Sequence, residues 1–246
     1  MNDDGTFASR IAMLNILGTY PIIVHGGGPQ IDALMKERRI PIERRNDKRI
    51  TNQQTLDCVV EALSAANREL VLQINQYWGS AQSAIDQEVI YAEQLDTELG
   101  FVGKPVGVNG VILADLVASK KSPVLWCIGY DQLHQKYNVH ADHAASAIIR
   151  HMEPEKFAML VLVTSTGGVL DSHGQVMSSI NYSDIHRLKE DGTITGGMAE
   201  KVLQAGQLLV DGATFLSPDF RIQIVGPNSL ACISPTGKIT GTRIII

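Results

Sequence analysis

The tract at positions 21–31, PIIVHGGGPQI, sets a short β-branched run directly before a histidine, three consecutive glycines and a proline. No other stretch limits the fold as strongly. The apolar run has the length of a buried strand, and a proline just past the break suits the first turn of a helix. One glycine is enough for a tight turn, so three in succession point to backbone that another group must approach closely. A strand, a glycine loop and a helix N-terminus in this order make an anion site, because free backbone N–H groups and the positive end of the helix dipole coincide. The competing explanation is that the glycines only admit close packing of helix on strand, and the loop by itself does not decide between the two.

The rest of the chain continues the alternation. TFASRIAMLNIL (6–17) has helical spacing, and the helix after Pro29 carries an apolar stripe at Ile31, Leu34 and Met35. Residues 52–76 form a long helical stretch, EVIYAEQL reads as a strand, and ELGFVGKPVGVN reads as a hairpin-like excursion. A helix over 109–120, a single buried strand SPVLWCIGY and a helix ADHAASAIIRHM complete the first half. After Pro154 the rhythm restarts with the strand AMLVLVT, a turn-rich STGGVLDSHGQV and a short helix over 183–190. The helix AEKVLQAGQLLVDG and the strands FRIQIVG and TGTRIII follow. Strands alternating with helices predict an α/β fold, a three-layer αβα sandwich with an open, mainly parallel sheet. No repeat or flexible linker interrupts it, so two lobes sharing one sheet are expected.

Composition narrows the partners. A net charge of −5 over 246 residues leaves no basic footprint for nucleic acid, and the basic run from Arg38 to Arg49 is broken by Glu43 and Asp47. Cys58, Cys127 and Cys232 are widely spaced and include no C-x-x-C pair, which argues against a disulfide framework or a zinc site and for a reducing compartment. No apolar stretch has the length of a bilayer span, and MNDDGTFASR starts with acidic residues where a signal peptide is positive. A cytoplasmic protein with small-molecule partners is expected, with no membrane role and no metal ligated by the chain.

Two owners of a glycine loop are excluded by spacing. Dinucleotide binding needs G-x-G-x-x-G, which HGGGPQI lacks. A lipase-type hydrolase can use HGGG as an oxyanion hole but needs a G-x-S-x-G elbow, and neither that nor a P-loop occurs.

The loop has matching company in HGGGP-x-I-D-x-L, RIT (49–51), QLDTELGFVG (94–103), YNVHAD (137–142), GVLDSHGQ (168–175) and GTITGGMAEKV (192–202). In order and spacing these resemble the amino-acid kinase superfamily, and within it the N-acetylglutamate kinases, from about Tyr20 to Gln204. The resemblance implies transfer of the γ-phosphoryl group of ATP to the side-chain carboxylate of N-acetyl-L-glutamate, with Mg²⁺ held mainly by the nucleotide phosphates. It further implies an N-terminal lobe (1–152) for substrate binding and dimerisation, a C-terminal lobe (153–246) for ATP, one continuous fold and a homodimer. Gly26, Gly27 and Gly28 would contact the phosphoryl group and the substrate. Arg49 would grip the α-carboxylate with two parallel hydrogen bonds. Asn138 would contact the amino-acid part, Asp142 would orient catalytic lysines, and Lys201, after Gly196, Gly197 and Met198, would reach the ATP phosphates. Without the motifs, Arg49 reads as a surface cation, Asn138 as turn chemistry, Asp142 as a helix-start carboxylate and Lys201 as a solvated helix residue. His25 reads as structural.

The resemblance has gaps. No K-x-G-G occurs, although the family's first strand ends in that lysine, so the sequence is expected to be either an N-terminally shortened form or one that has lost the lysine. Loss of such a donor would slow transfer about a hundredfold to a thousandfold. Ser165 stands where the family has an aspartate near the nucleotide phosphates, His140 where it has a second asparagine, and YWGSAQSAID (77–86) where it has a glycine-rich stretch. There is no room before the first strand for the helix through which relatives sense arginine, so arginine insensitivity is expected. Two alternatives stay open, a kinase of the same superfamily with another substrate and a catalytically impaired ligand-binding homologue.

Overall fold

The structure, a computed structural model, describes residues 5–45, 48–152, 157, 159–227 and 241–246. Cys232, the first four residues and Asp47 lie outside the described residues. Two compact units meet in the sequence between His151 and Met152.

In the first unit, α1 (Thr6–Ile16) leads to β1 (Ile23–His25), the glycine loop and α2 (Gly28–Glu37). A small antiparallel hairpin, β2 (Arg44–Arg45) and β3 (Lys48–Arg49), precedes α3 (Gln53–Gln76). The start of α3 is fixed by the Asn52 side chain, which accepts a hydrogen bond from the Thr55 N–H and so satisfies one open donor of the first turn. β4 (Ala81–Ser83), β5 (Ile90–Gln94), β6 (Val102–Val108), α4 (Gly110–Ala118), β7 (Ser122–Trp126), β8 (Ile128–Tyr130), β9 (Lys136–Val139) and α5 (Ala141–His151) follow.

The expected single strand over 122–130 is divided. β7 pairs in parallel with β1 on one side and β4 on the other, whereas β8 joins β5, β6 and β9 in a small closed barrel. The division falls at Cys127, which is buried with Trp126, Ile128 and Tyr130 against Ile31, Met35, Val59 and Leu63. Burial of the Cys127 thiol pushes its pKa up to about 12, so it packs as a small apolar group. The β1-β7-β4 sheet is wholly parallel, and the glycine loop leaves it at the carboxyl end of β1.

The second unit contains β10 (Met159–Val163), β11 (Ser179–Asn181), α6 (Ile185–Glu190), α7 (Gly196–Gly212), β12 (Arg221–Val225) and β13 (Thr242–Ile245). Its sheet runs in the order β10-β12-β13-β11; β10 is parallel to β12, and β12 is antiparallel to β13. Among the described residues, the one shared sheet expected from the sequence is therefore a sheet in each unit, with the barrel in the first. Local periodicity marks where strands are but carries no information on their partners. The α/β class and the predominance of parallel pairing agree with the sequence reading.

Candidate active site

The glycine loop splits by steric test. A Cβ on buried Gly27 would lie 2.8 Å from Leu63 Cδ2 in the core, so any side chain there would have to displace that methyl group of α3. A Cβ on Gly28 would meet nothing within 4 Å, and one on Gly26 only Ala141 Cβ at 3.7 Å. Close packing thus accounts for one glycine of the three. Gly27 ends the loop by accepting the first helical hydrogen bond of α2, from Ile31 N–H at 2.8 Å.

The first two turns of α2 carry the loop to Arg49. Met35 and Ile31 turn into the core, and Asp32 points to the β2–β3 hairpin, where Arg49 Nη2 meets Asp32 Oδ1 at 2.6 Å. Arg49 is only 6% exposed, which removes the surface-cation reading, and its Nη1 donates to Met35 Sδ at 3.3 Å. Arg44 reaches the other Asp32 oxygen at 3.2 Å, so one carboxylate faces two guanidinium groups. Asp32 has a place in the HGGGP-x-I-D-x-L motif, but only the fold reveals its partners.

Thr51 joins Arg49 to Asn138. Its hydroxyl donates to the Arg49 carbonyl at 2.8 Å and accepts from Asn138 Nδ2 at 3.3 Å, while its backbone is bridged to Gly100. Asn138 lies on β9, half-buried, so it is a strand residue and not a turn former. Asp142 occupies the first turn of α5, 8% exposed, with its N–H 3.4 Å from His140 Nδ1 and its Oδ2 3.7 Å from the same nitrogen. Ala141, one residue earlier, is the neighbour of Gly26 described above. Gly26–Gly28, Arg49, Asn138 and Asp142 are thus tied together by α2, the hairpin, β9 and the start of α5. A shallow depression lined by Asp57, Glu61, Arg68 and His134 on α3 and the β8–β9 turn contains none of them.

The remaining predicted residues belong to the second unit. Ser165 is exposed just past the carboxyl end of β10, in a turn held by Thr164 N–H to the Val225 carbonyl at 2.8 Å and by the Thr166 hydroxyl to the Gly168 carbonyl at 2.6 Å. Gly196 opens α7 at a φ of +51°, a backbone region that favours glycine, and no side chain caps the helix at Thr195. Gly197 and Lys201 are one helical turn apart, with Met198 half-buried beside them. Among the described residues no three His, Cys, Asp or Glu side chains converge as a metal site, and no helix is long and apolar enough to cross a membrane.

Residues 3–214 match the model of the amino acid kinase family. The chain belongs to that family. Acetylglutamate kinase of Roseobacter denitrificans is 37% identical to it over 198 residues, 79% of this chain and 68% of the relative. Acetylglutamate kinase of Psychrobacter arcticus is 35% identical over 214 residues, 81% and 70% of the two chains. The fold of this amino acid kinase resembles the crystal structure of smu.665 from Streptococcus mutans UA159, with a TM-score of 0.84 at 26% identity over 99% and 93% of the chains. The carbamate kinase of Giardia lamblia bound to AMP-PNP has the same fold, with a TM-score of 0.70 at 14% identity over 98% and 88% of the chains.

Proposed function

We propose that this amino acid kinase transfers the γ-phosphoryl group of ATP to the side-chain carboxylate of N-acetyl-L-glutamate, giving N-acetyl-L-glutamyl 5-phosphate, a step of arginine biosynthesis. The observation that supports it most is the buried Arg49, joined through Thr51 to Asn138 and through Asp32 to the helix that starts at the glycine loop. Arg49 takes the α-carboxylate, with Asp32 holding the guanidinium head in place, and Asn138 takes the amino-acid part. Gly26–Gly28 then face the side-chain carboxylate with N–H donors.

The reaction needs no base, because the attacking carboxylate oxygen is already anionic. That oxygen forms a bond to the γ-phosphorus as the bond from phosphorus to the β,γ-bridging oxygen breaks, and ADP leaves with the electron pair. The protein's part is alignment and neutralisation of charge. In the second unit, Lys201 and the N-terminus of α7 at Gly196, Gly197 and Met198 hold the ATP phosphates, with Ser165 near them. Asp142, in the first turn of α5, completes the polar groups of the first unit beside the glycine loop. Magnesium, when bound, would screen charge on the nucleotide phosphates and be held mainly by them.

Similarity to acetylglutamate kinases favours this substrate over another amino acid and favours a kinase over a ligand-binding homologue. A cytoplasmic homodimer completes the reading, and exposed Ile16, Leu17, Leu72 and Trp78 of the first unit supply apolar surface for it to cover. Calorimetric titration tests the assignment: N-acetyl-L-glutamate binding that is lost in Arg49→Ala supports it, and equal binding by both proteins contradicts it.

A further inference from the structure

His25, the last residue of β1, is buried, and its ring is held at both nitrogens. Asn67 of α3, fully buried, places Nδ2 3.0 Å from His25 Nε2 and 3.0 Å from the Val124 carbonyl of β7. A carbonyl can only accept, so Val124 fixes which end of the Asn67 amide is NH₂. That NH₂ group can only donate, so His25 Nε2 is an acceptor. A neutral imidazole with an acceptor at Nε2 carries its proton on Nδ1, and Nδ1 lies 3.3 Å from the Gly26 carbonyl. Burial favours the neutral ring by lowering its pKa. Asn67 thus donates to both the Val124 carbonyl and His25 Nε2, and His25 passes the order on by donating Nδ1–H to the Gly26 carbonyl.

The arrangement leaves Asn67 Oδ1 buried without a hydrogen-bond partner among the described residues. A stabilising core position would be filled more cheaply by an apolar side chain, so the polar pair calls for another reason. These bonds end on the peptide that supplies it. The Gly26 carbonyl and the Gly27 N–H belong to one trans peptide plane and point in opposite directions. Fixing the first fixes the second.

We propose that His25 is a positioning residue for phosphoryl transfer: locked by Asn67 as the Nδ1–H tautomer, it holds the Gly26 carbonyl and so aims the Gly27 N–H at the reacting groups. This rests on the glycine loop facing the carboxylate and the phosphoryl group. Two substitutions separate the ring's two nitrogens. His25→Asn keeps a donor near the Nδ1 position, whereas His25→Gln keeps a polar group near Nε2 and loses the donor to Gly26.

Long-range ¹H–¹⁵N correlation of the wild-type protein above pH 6.5 reads the tautomer directly, with the His25 resonance assigned by its absence from His25→Asn. The Nδ1–H pattern is expected, and an Nε2–H pattern overturns the proposal whether or not the glutamine variant folds. In steady-state assays His25→Gln is expected to lower kcat about tenfold to a hundredfold, leaving KM within about threefold, while His25→Asn stays within about fivefold of wild type. Wild-type kcat in folded His25→Gln, or equal losses in both variants, overturns the positioning role alone. A wild-type protein that phosphorylates no N-acetyl-L-glutamate overturns the functional reading beneath it.

Discussion

Arg49 Nη2 and Asp32 Oδ1 lie 2.6 Å apart, one on a hairpin strand and the other on the helix that begins at the glycine loop. The pair fixes a buried cation where a substrate carboxylate is expected to bind. Arg49→Lys keeps the charge but loses the planar fork. It is expected to raise KM for N-acetyl-L-glutamate about tenfold to a hundredfold, the equivalent of about 1.5–3 kcal/mol for charge-assisted hydrogen bonds, with kcat changed far less. Asp32→Asn removes the neutralising charge and is expected to lower stability by about 1–3 kcal/mol in urea titration.

The glycines at 27 and 28 give opposite expectations. Gly27→Ala presses a methyl group on Leu63 and should cost about 1–3 kcal/mol in stability. Gly28→Ala meets open space at a helix start and should leave the urea midpoint unchanged or slightly higher. Its kcat/KM is nonetheless expected to fall tenfold or more, roughly, because substrate atoms must approach the backbone. Unchanged activity in Gly28→Ala would assign the triplet to packing.

The α/β alternation and the loop's place at a strand end are legible because hydrophobic period, glycine and proline act over a few residues. Strand partners are not local. Residues 122–130 form one continuous apolar run, and only the pairing of β7 with β1 and of β8 with β5 reveals the break at Cys127. β4 and the β2–β3 hairpin leave no mark in the sequence for another reason, being too short for a periodic signal. At the site, motifs pointed to Arg49 and Asn138, but their linkage through Thr51 spans 87 positions from Thr51 to Asn138. Asn67 carries no signal beyond helical spacing and Asp32 only its place in the glycine-loop motif, since their roles arise from partners that the fold brings to them.

His25 also predicts a pH dependence. Burial, its largest influence, lowers its pKa from 6.5, so the unfolded chain binds this proton more readily than the folded one. The contribution is complete above 6.5 and is lost as pH falls from there through the folded value. Urea midpoints should therefore decline below that pH in wild type, and the decline should be smaller in His25→Asn. Asp171, held below 3.8 by the Gln175 and His173 N–H groups, loses its contribution only in more acidic solution, so the two windows separate.

Lys201→Met removes the charge assigned to the ATP phosphates while keeping a good helix former in α7. A fall in kcat of about a hundredfold to a thousandfold is expected, with the far-ultraviolet circular dichroism unchanged.

Phosphoryl transfer to the substrate carboxylate is read by trapping the acyl phosphate. The protein is incubated with ATP, magnesium and hydroxylamine, and with N-acetyl-L-glutamate, L-glutamate, L-aspartate or carbamate in parallel. ATP-dependent hydroxamate from N-acetyl-L-glutamate is expected far above that from the other carboxylates, with ADP formed in equal amount. Folded protein that gives no hydroxamate from N-acetyl-L-glutamate, or that turns over one of the other substrates faster, would contradict it.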